Sequence, residues 1–467
     1  MGDLVVNPGK ATEKIMKHQN GSINLISHMD ADGICSAALI SNALDRLEIR
    51  HHVKFVHMLY PDVVEELEIG ELPVFTDLGS SQLSNLKPKF GGNDAVVIDH
   101  HVPEVEYEWE ELAHFNAHLE GIDGVQEISG SGMAYLVAKE LDSRNKDLSV
   151  QALGGAVGDV QNAWGEVKGY NRKIVEDGGE VGVIGREEDL LLYGRNTRPV
   201  FKALMRISDP PVPGVTNSVE GAVSMLKDLD IPYKTEDGYR RPVDLSEEEK
   251  RKLASELITR AMSDVPEELA KYVPGLIVGE VYTFLNEQER SLLRGADEFA
   301  TCINATARHE QPLIGYEVAK GDRGVYQNRM RKLLNYHRKC IAEGMDHVNE
   351  IGVKDGPQQY LQYFDASEVL KKTFIGTVAS LTLAQDGVDP YRPMLGIVDD
   401  DGVAKVSARC SKLLFLRGLD MGQAIEIAAD EVEGEGGGHA VACGAQIDGD
   451  RIDDFVEIFE DELLNMV

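Results

Sequence analysis

Through the first two hundred residues, short apolar runs alternate with longer stretches whose apolar positions recur at helical spacing. That alternation is the pattern of βαβ units building a parallel sheet. SINLIS (22–27) reads as a buried strand, and ICSAALISNALDRL (34–47) as the helix that follows it. FVHMLY (55–60), LPVFT (72–76) and DAVVI (94–98) read as further strands of the same sheet.

The texture changes near Asp209, where DPPVPGV breaks any regular element. Beyond it lie helical stretches, SEEEKRKLASELITRAM (246–262) and VYQNRMRKLLNYHRKCIAEGMDHVNEIG (325–352), which read as a helical insertion or linker. Strand patterns return after residue 356: FIGTVASLTLA (374–384), PMLGIVDD (393–400) and VAKVSARC (403–410). A helix around AIEIAADEV and the glycine-rich GEGGGHAVACGAQI complete a second α/β region. The expected organisation is therefore α/β: a parallel-sheet domain at 1–210, a helical middle part at 211–355, and an α/β domain at 356–467. A chain of 467 residues exceeds what one core usually organises, which fits this division.

Composition narrows the picture little. Apolar residues make up 42% of the chain, ordinary for a folded globular protein. The chain has no apolar run of membrane-spanning length and no apolar signal core near its start, so it is expected to be cytoplasmic, without membrane contact. Cys35, Cys302, Cys340, Cys410 and Cys443 are scattered, without a CxxC pair, and read as reduced structural thiols. The net charge of −33 runs against a nucleic-acid ligand, since phosphate is normally met by a basic face. Metal ions can supply positive charge at one site, and a few cations can line one groove, so total charge does not choose the substrate.

Three acidic or histidine motifs follow directly on strand patterns: HMDADG after SINLIS, TDLGS after LPVF, and DHH after AVVI. Ligands of open parallel sheets gather at the carboxyl ends of the strands, so these distant side chains are expected to converge. His28, Asp30 and Asp32 alternate by two and would share one face of an extended segment. A lone DxD is more often a turn or helix cap, and a lone aspartate such as Asp77 before glycine a turn residue. Adjacent His100 and His101 behind a strand are harder to explain structurally. Asp159 ends the small-residue run ALGGAVGD, which permits close approach of its backbone. Together these residues offer ligands for two divalent ions sharing a carboxylate, the usual arrangement for phosphate-ester hydrolysis. Further along, Gly436, Gly437, Gly438 and His439 form a run that can expose N–H groups to an anion, and Arg409 is a candidate phosphate fork.

HMDADG, FTDLGS, IDHH and VGD, in this order and followed by GGGHAVACGA, resemble the DHH phosphoesterase superfamily with its DHHA1 domain. NAHLEGIDGVQEISGSGMAY, YGRNTRPVFKAL, DPPVPG and FATCINATAR are similar to archaeal RecJ-like proteins, which include the GINS-associated nuclease. The resemblance implies a DHH domain, a DHHA1 domain and an active site in the cleft between them. It implies two metal ions, Mn²⁺ before Mg²⁺, held by Asp30, Asp32, Asp77, His100 and Asp159 and joined by His28. Asp77 and His101 would be the catalytic pair, His101 lying near the scissile phosphate. Arg409, Gly437, Gly438 and His439 would hold substrate. Arg308 is added through INATAR, where Ala307 stands in place of the glycine in the related INA-x-GR motif. The implied activity is 5′→3′ exonuclease action on single-stranded DNA, releasing mononucleotides, in replication and repair. Alternatives are an exonuclease on RNA or short oligonucleotides, including 3′→5′ action, and a replisome scaffold bound to GINS and the MCM helicase. Inorganic pyrophosphatases share the early motifs but lack GGGH.

Overall fold

The computed structural model describes residues 6–104, 108–367 and 369–466. Two compact units emerge, one made of residues 1–188 and 280–334, the other of 189–279 and 335–467. These units cut across the boundaries at 210/211 and 355/356. Residues 280–334 join the first core through Phe299, Ile303 and Met330, while 189–279 form a core of their own with Leu413.

In the first unit, β1 (Ser22–His28), β2 (Arg50–Val56), β3 (Leu72–Thr76), β4 (Ala95–Asp99) and β5 (Leu112–Asn116) form one sheet in the order β2-β1-β3-β4-β5. Every neighbouring pair is parallel, as the βαβ pattern required. β3 and β4 are buried throughout, which is why they read as continuous apolar runs. β2 lies five residues upstream of the FVHMLY reading. It is the edge strand, with alternate residues exposed, so RHHVKFV carries its signal as alternation and not as an apolar run. Helix Ala31–Arg46 packs Ile34, Ala38 and Leu39 into the main core with β1, helix Gly130–Leu141 and helix Ser149–Gly158.

β6 (Ile184–Leu190) pairs with β9 (Val278–Phe284), and β7 (Lys234–Thr235) with β8 (Gly238–Tyr239). The middle region is helical as expected. Helix Glu247–Met262 starts with a capping box between Ser246 and Glu249 and buries Leu253, Leu257 and Ala261. In the second unit, β10 (Lys354–Asp355), β11 (Gln362–Asp365), β12 (Met394–Asp400), β13 (Val403–Arg409), β14 (Glu435–His439) and β15 (Ala442–Asp448) form a mixed sheet ordered β10-β11-β12-β13-β15-β14. FIGTVASLTLA is not a strand. Residues Ile375–Thr382 form a helix that packs Ile375, Val378 and Ala379 on Met394 and Val398. Burial on most sides hides its helical period, leaving a run that propensity alone assigns to a strand. Among the described residues, no helix is long and apolar enough to cross a membrane.

Candidate metal centre

The carboxyl ends of β1, β3 and β4 deliver the three motifs to one place. His28 closes β1, and the chain turns at once into a helix, so the alternation by two does not describe HMDADG. Asp30 is the N-cap of helix Ala31–Arg46, accepting from Gly33 N, and Asp32 lies in the first turn. Gly33 is required there, because a Cβ would lie 2.2 Å from the His28 carbonyl oxygen. Ser27 ties β1 to β3 beneath the site, its Oγ donating to the Gly33 and Thr76 carbonyls.

Asp77 follows β3 with a φ of 60°. This left-handed conformation is uncommon for a residue with a Cβ, and it turns the carboxylate inward. The side chain is 2% exposed, and neither oxygen completes a hydrogen bond. Oδ2 lies 3.5 Å from His28 Nδ1 and Oδ1 lies 3.3 Å from His100 Nε2. A buried, unsatisfied carboxylate is costly unless a cation completes it. Gly130 leaves room for it, since a Cβ there would meet Asp77 Oδ1 at 2.4 Å.

On one side of Asp77 stand His28 and Asp30, 3.2 Å apart. On the other, Asp32, His100 and Asp159 are close enough for their ligand atoms to share an ion. Asp32 is 1% exposed and accepts from Gly130 N at 2.6 Å and Ser131 N at 3.1 Å, at the start of helix Gly130–Leu141. Asp159 caps the end of helix Ser149–Gly158, and Gln161 Nε2 donates to its Oδ2 at 2.9 Å. Gly155 keeps this approach open, because a Cβ would reach Asp32 Oδ1 at 2.3 Å.

The histidines are oriented from behind. His100 Nδ1 is 2.6 Å from the Gly124 carbonyl, which can only accept, so Nδ1 carries a proton and Nε2 faces the carboxylates. His101 Nδ1 lies 2.8 Å from Asp99 Oδ1, and its half-exposed ring can direct Nε2 outward. Burial and the charges of Asp77 and Asp159 push the Asp32 carboxyl well above the usual range. Burial would lower His28 and His100, but the surrounding carboxylates prevail and raise both. Burial likewise opposes ionisation of Asp30 and Asp99, yet His28 and His101 respectively hold them low. Protons thus stand in for positive charge in a pocket of carboxylates. The hard and borderline donors, in three overlapping groups of which two include the orphaned Asp77 carboxylate, suit a divalent cation.

Several contributors went unassigned in the sequence reading. Asp99 orients His101, Gly124 orients His100, Gln161 orients Asp159, and the Gly130 and Ser131 amides hold Asp32. Asn304 joins two of the motifs: its Oδ1 accepts from Ala31 N at 3.0 Å and its Nδ2 donates to the Gly158 carbonyl at 3.4 Å. The phrases GSGM and INAT carried these residues in plain view. Gly124, Gly130, Ser131 and Asn304 act through backbone contacts, and Asp99 and Gln161 through side-chain contacts to His101 and Asp159; residue type alone announces none of these.

The substrate candidates divide between the two units. Arg308 is half-buried at the end of helix Ala296–Arg308, one turn beyond Asn304. Gly437, Gly438 and His439 belong to the outer strand β14, so GGGH is extended. Arg409 ends β13 and donates to the Ala408 and Cys443 carbonyls. Ala442 on β15 pairs with Arg409 on one side and His439 on the other, which places all three in one row of the sheet.

Comparison with known proteins bears on this arrangement. The profile of the DHH family, N-terminal domain, matches residues 22–156, the DHH-CID domain residues 192–271, and the DHHA1 domain residues 363–465. The chain belongs to the DHH/DHHA1 family of phosphoesterases. It is 30% identical to an uncharacterised protein of Methanocaldococcus jannaschii, over 95% of this chain and 94% of that one. The fold resembles RecJ of Thermus thermophilus, solved with Mn²⁺, with a TM-score of 0.60 at 17% identity. That match covers this whole chain but 56% of the RecJ chain. It also resembles CDC45 of Entamoeba histolytica, with a TM-score of 0.63 at 12% identity over 98% of this chain and 99% of that one.

Proposed function

We propose that this chain is a two-metal phosphodiesterase that removes mononucleotides from the 5′ end of single-stranded DNA. The observation that carries the reading is Asp77: a buried carboxylate whose oxygens complete no hydrogen bond and face separate ligand groups. His28 and Asp30 would hold one ion, and Asp32, His100 and Asp159 the other, with Asp77 shared between them. Such ions, Mn²⁺ before Mg²⁺, supply a nucleophilic water near neutral pH and neutralise charge on the phosphate.

The protein's own groups do the positioning. Gly124 fixes the His100 tautomer, and Asp99 holds His101 so that its Nε2, in the imidazolium form, can donate to a phosphate oxygen as charge builds there. Arg409, His439 and the glycines of β14 would hold the strand, with Arg308 as a further phosphate contact. A second solved structure of similar fold, the exonuclease RecJ bound to manganese, supports the exonuclease part of this reading.

The test is a time course on 5′- and 3′-labelled DNA and RNA strands with Mn²⁺ or Mg²⁺. Wild-type protein should release labelled mononucleotide first from 5′-labelled DNA. Asp77→Ala and His100→Ala should be inactive. Activity unchanged in both variants would sink the two-metal reading, and preference for RNA or for the 3′ end would replace the substrate.

A further inference from the structure

The face of the second sheet that carries Arg409 holds another cation. On β13, Lys405, Ser407 and Arg409 alternate onto one face. Across the register, Arg409 aligns with Ala442 and His439, Ser407 with Gly444 and Gly437, and Lys405 with Gln446 and Glu435. The Lys405 side chain does not stay in its own row. It runs over Gly444, where a Cβ would lie 3.5 Å from its Nζ and 2.8 Å from the Val406 carbonyl oxygen. Gly444 is therefore the gap through which the ammonium reaches the middle row.

Neither Lys405 nor Arg409 has a carboxylate partner among the described residues, although acidic residues outnumber basic ones by 80 to 47. Lys372 is nearby and already paired with Asp400 at 3.6 Å. Burial, with Arg409 and Lys372 alongside, pushes the Lys405 ammonium below its usual value. Burial also opposes the charge of Arg409. Two cations packed together without counter-charge are unfavourable until an anion arrives.

The rows set the spacing. Alternate residues on a strand are about 7 Å apart, so the Lys405 ammonium stands one such step from the Arg409 and His439 row. That step is comparable with the separation of successive phosphates along an extended strand. Glu435, in the third row, closes the track to an anion on that side.

We infer that this sheet face holds two consecutive phosphates of a single strand, the first between Arg409 and His439 and the second at the Lys405 ammonium above Gly444. The inference rests on the proposed function, and it makes Lys405 a residue that selects strands over single phosphodiesters.

Binding of labelled dT2, dT3 and dT6 to the full chain, without divalent metal and across a KCl series, tests it. Lys405→Gln should weaken dT3 and dT6 about five- to tenfold, reduce the salt slope by about 0.7, and leave dT2, with its single internal phosphate, unchanged. Lys405→Arg should restore slope and affinity. A melting temperature at or above wild type would show that Lys405→Gln folds, and Lys405→Met replaces it otherwise. If Arg409→Gln lowers the slope while Lys405→Gln and Lys405→Met do not, the second phosphate position is wrong and the proposed function survives. If Arg409→Gln has no effect either, the sheet does not hold the strand and both readings fall. Equal weakening of dT2 and dT6 by the lysine variants would place Lys405 at the first phosphate and overturn the two-phosphate track.

Discussion

In the first unit, Asp30, Asp32, Asp77 and Asp159 crowd together beyond the ends of the parallel strands, with His28 and His100 among them. In the second, Arg409, Lys405 and His439 share one face of a mixed sheet with no carboxylate partner for the arginine or the lysine among the described residues. Each arrangement leaves one sign of charge uncompensated in a partly buried setting, at a cost to stability. On the proposed function the first would take cations and the second anions. A net charge of −33 is therefore compatible with the proposed nucleic-acid substrate. The sign of the local site matters, and the total does not.

The contrast breaks most sharply at Asp77. Replacing it with Ala removes the carboxylate that faces both His28 and His100. Activity should fall by well over about a hundredfold, beyond the ten- to hundredfold typical of changes to groups behind a metal ligand. The metal-free variant should melt no lower than wild type, because a buried like charge is gone. Mn²⁺ should raise the melting temperature of wild type and not of the variant. An equal Mn²⁺ shift in both would show that Asp77 is not a ligand.

How much of this was legible depended on what each residue does. His100 announces itself because adjacent histidines directly after an apolar strand have few structural uses; Asp77, also after a strand, and Asp159, at a helix end, become legible only in that company. The HMDADG argument brought His28, Asp30 and Asp32 together by the wrong geometry, since Asp30 caps a helix that begins inside the motif. The FIGTVASLTLA helix and the β2 edge strand were misplaced because tertiary burial decides both. Asn304 and Gln161 stayed silent: an amide bonding to backbone or to a ligand has no sequence signature without the fold around it.

Asn304 gives the next largest effect. Asn304→Ala leaves the clustered carboxylates and histidines in place while releasing Ala31 N and the Gly158 carbonyl. It should reduce activity about ten- to hundredfold and stability by about 1–3 kcal/mol. Partial recovery at high Mn²⁺ would distinguish loosened ligands from a lost substrate contact. Full activity would mean that neither contact aligns the motifs.

The pH response is smaller and has a defined sign. His28, His100 and Asp32 bind protons more tightly folded than unfolded, so they stabilise the metal-free chain at low pH. For the histidines that contribution is complete below about 6.5 and is lost as pH rises through their raised folded values. Asp30 and Asp99 act oppositely, but their contribution is lost only on acidification below the ordinary carboxylate range. The urea midpoint in EDTA should therefore fall from pH 6.5 to pH 9, and Mn²⁺ should flatten that fall by replacing the protons. A flat profile in EDTA would mean that the first site is not held together by protons.

The smallest effect concerns the thiols, and it asks whether cations of the second unit activate their neighbours. Cys443 lies beside Arg409, which favours a thiolate, yet burial dominates and the thiol is pushed up to about 12. Cys410, also near Arg409, and Cys35, below the carboxylates of the first unit, are raised as well, again chiefly by burial. Cys302 is buried, and Cys340 alone among the five is not. At pH 8 the native protein should expose one fast-reacting thiol to a disulfide reagent, and Cys340→Ser should remove it. A second fast thiol that disappears with Cys443→Ala would show the arginine overcoming burial. The charge in the second unit would then already have a thiolate for company, and an incoming phosphate would no longer be needed to balance it.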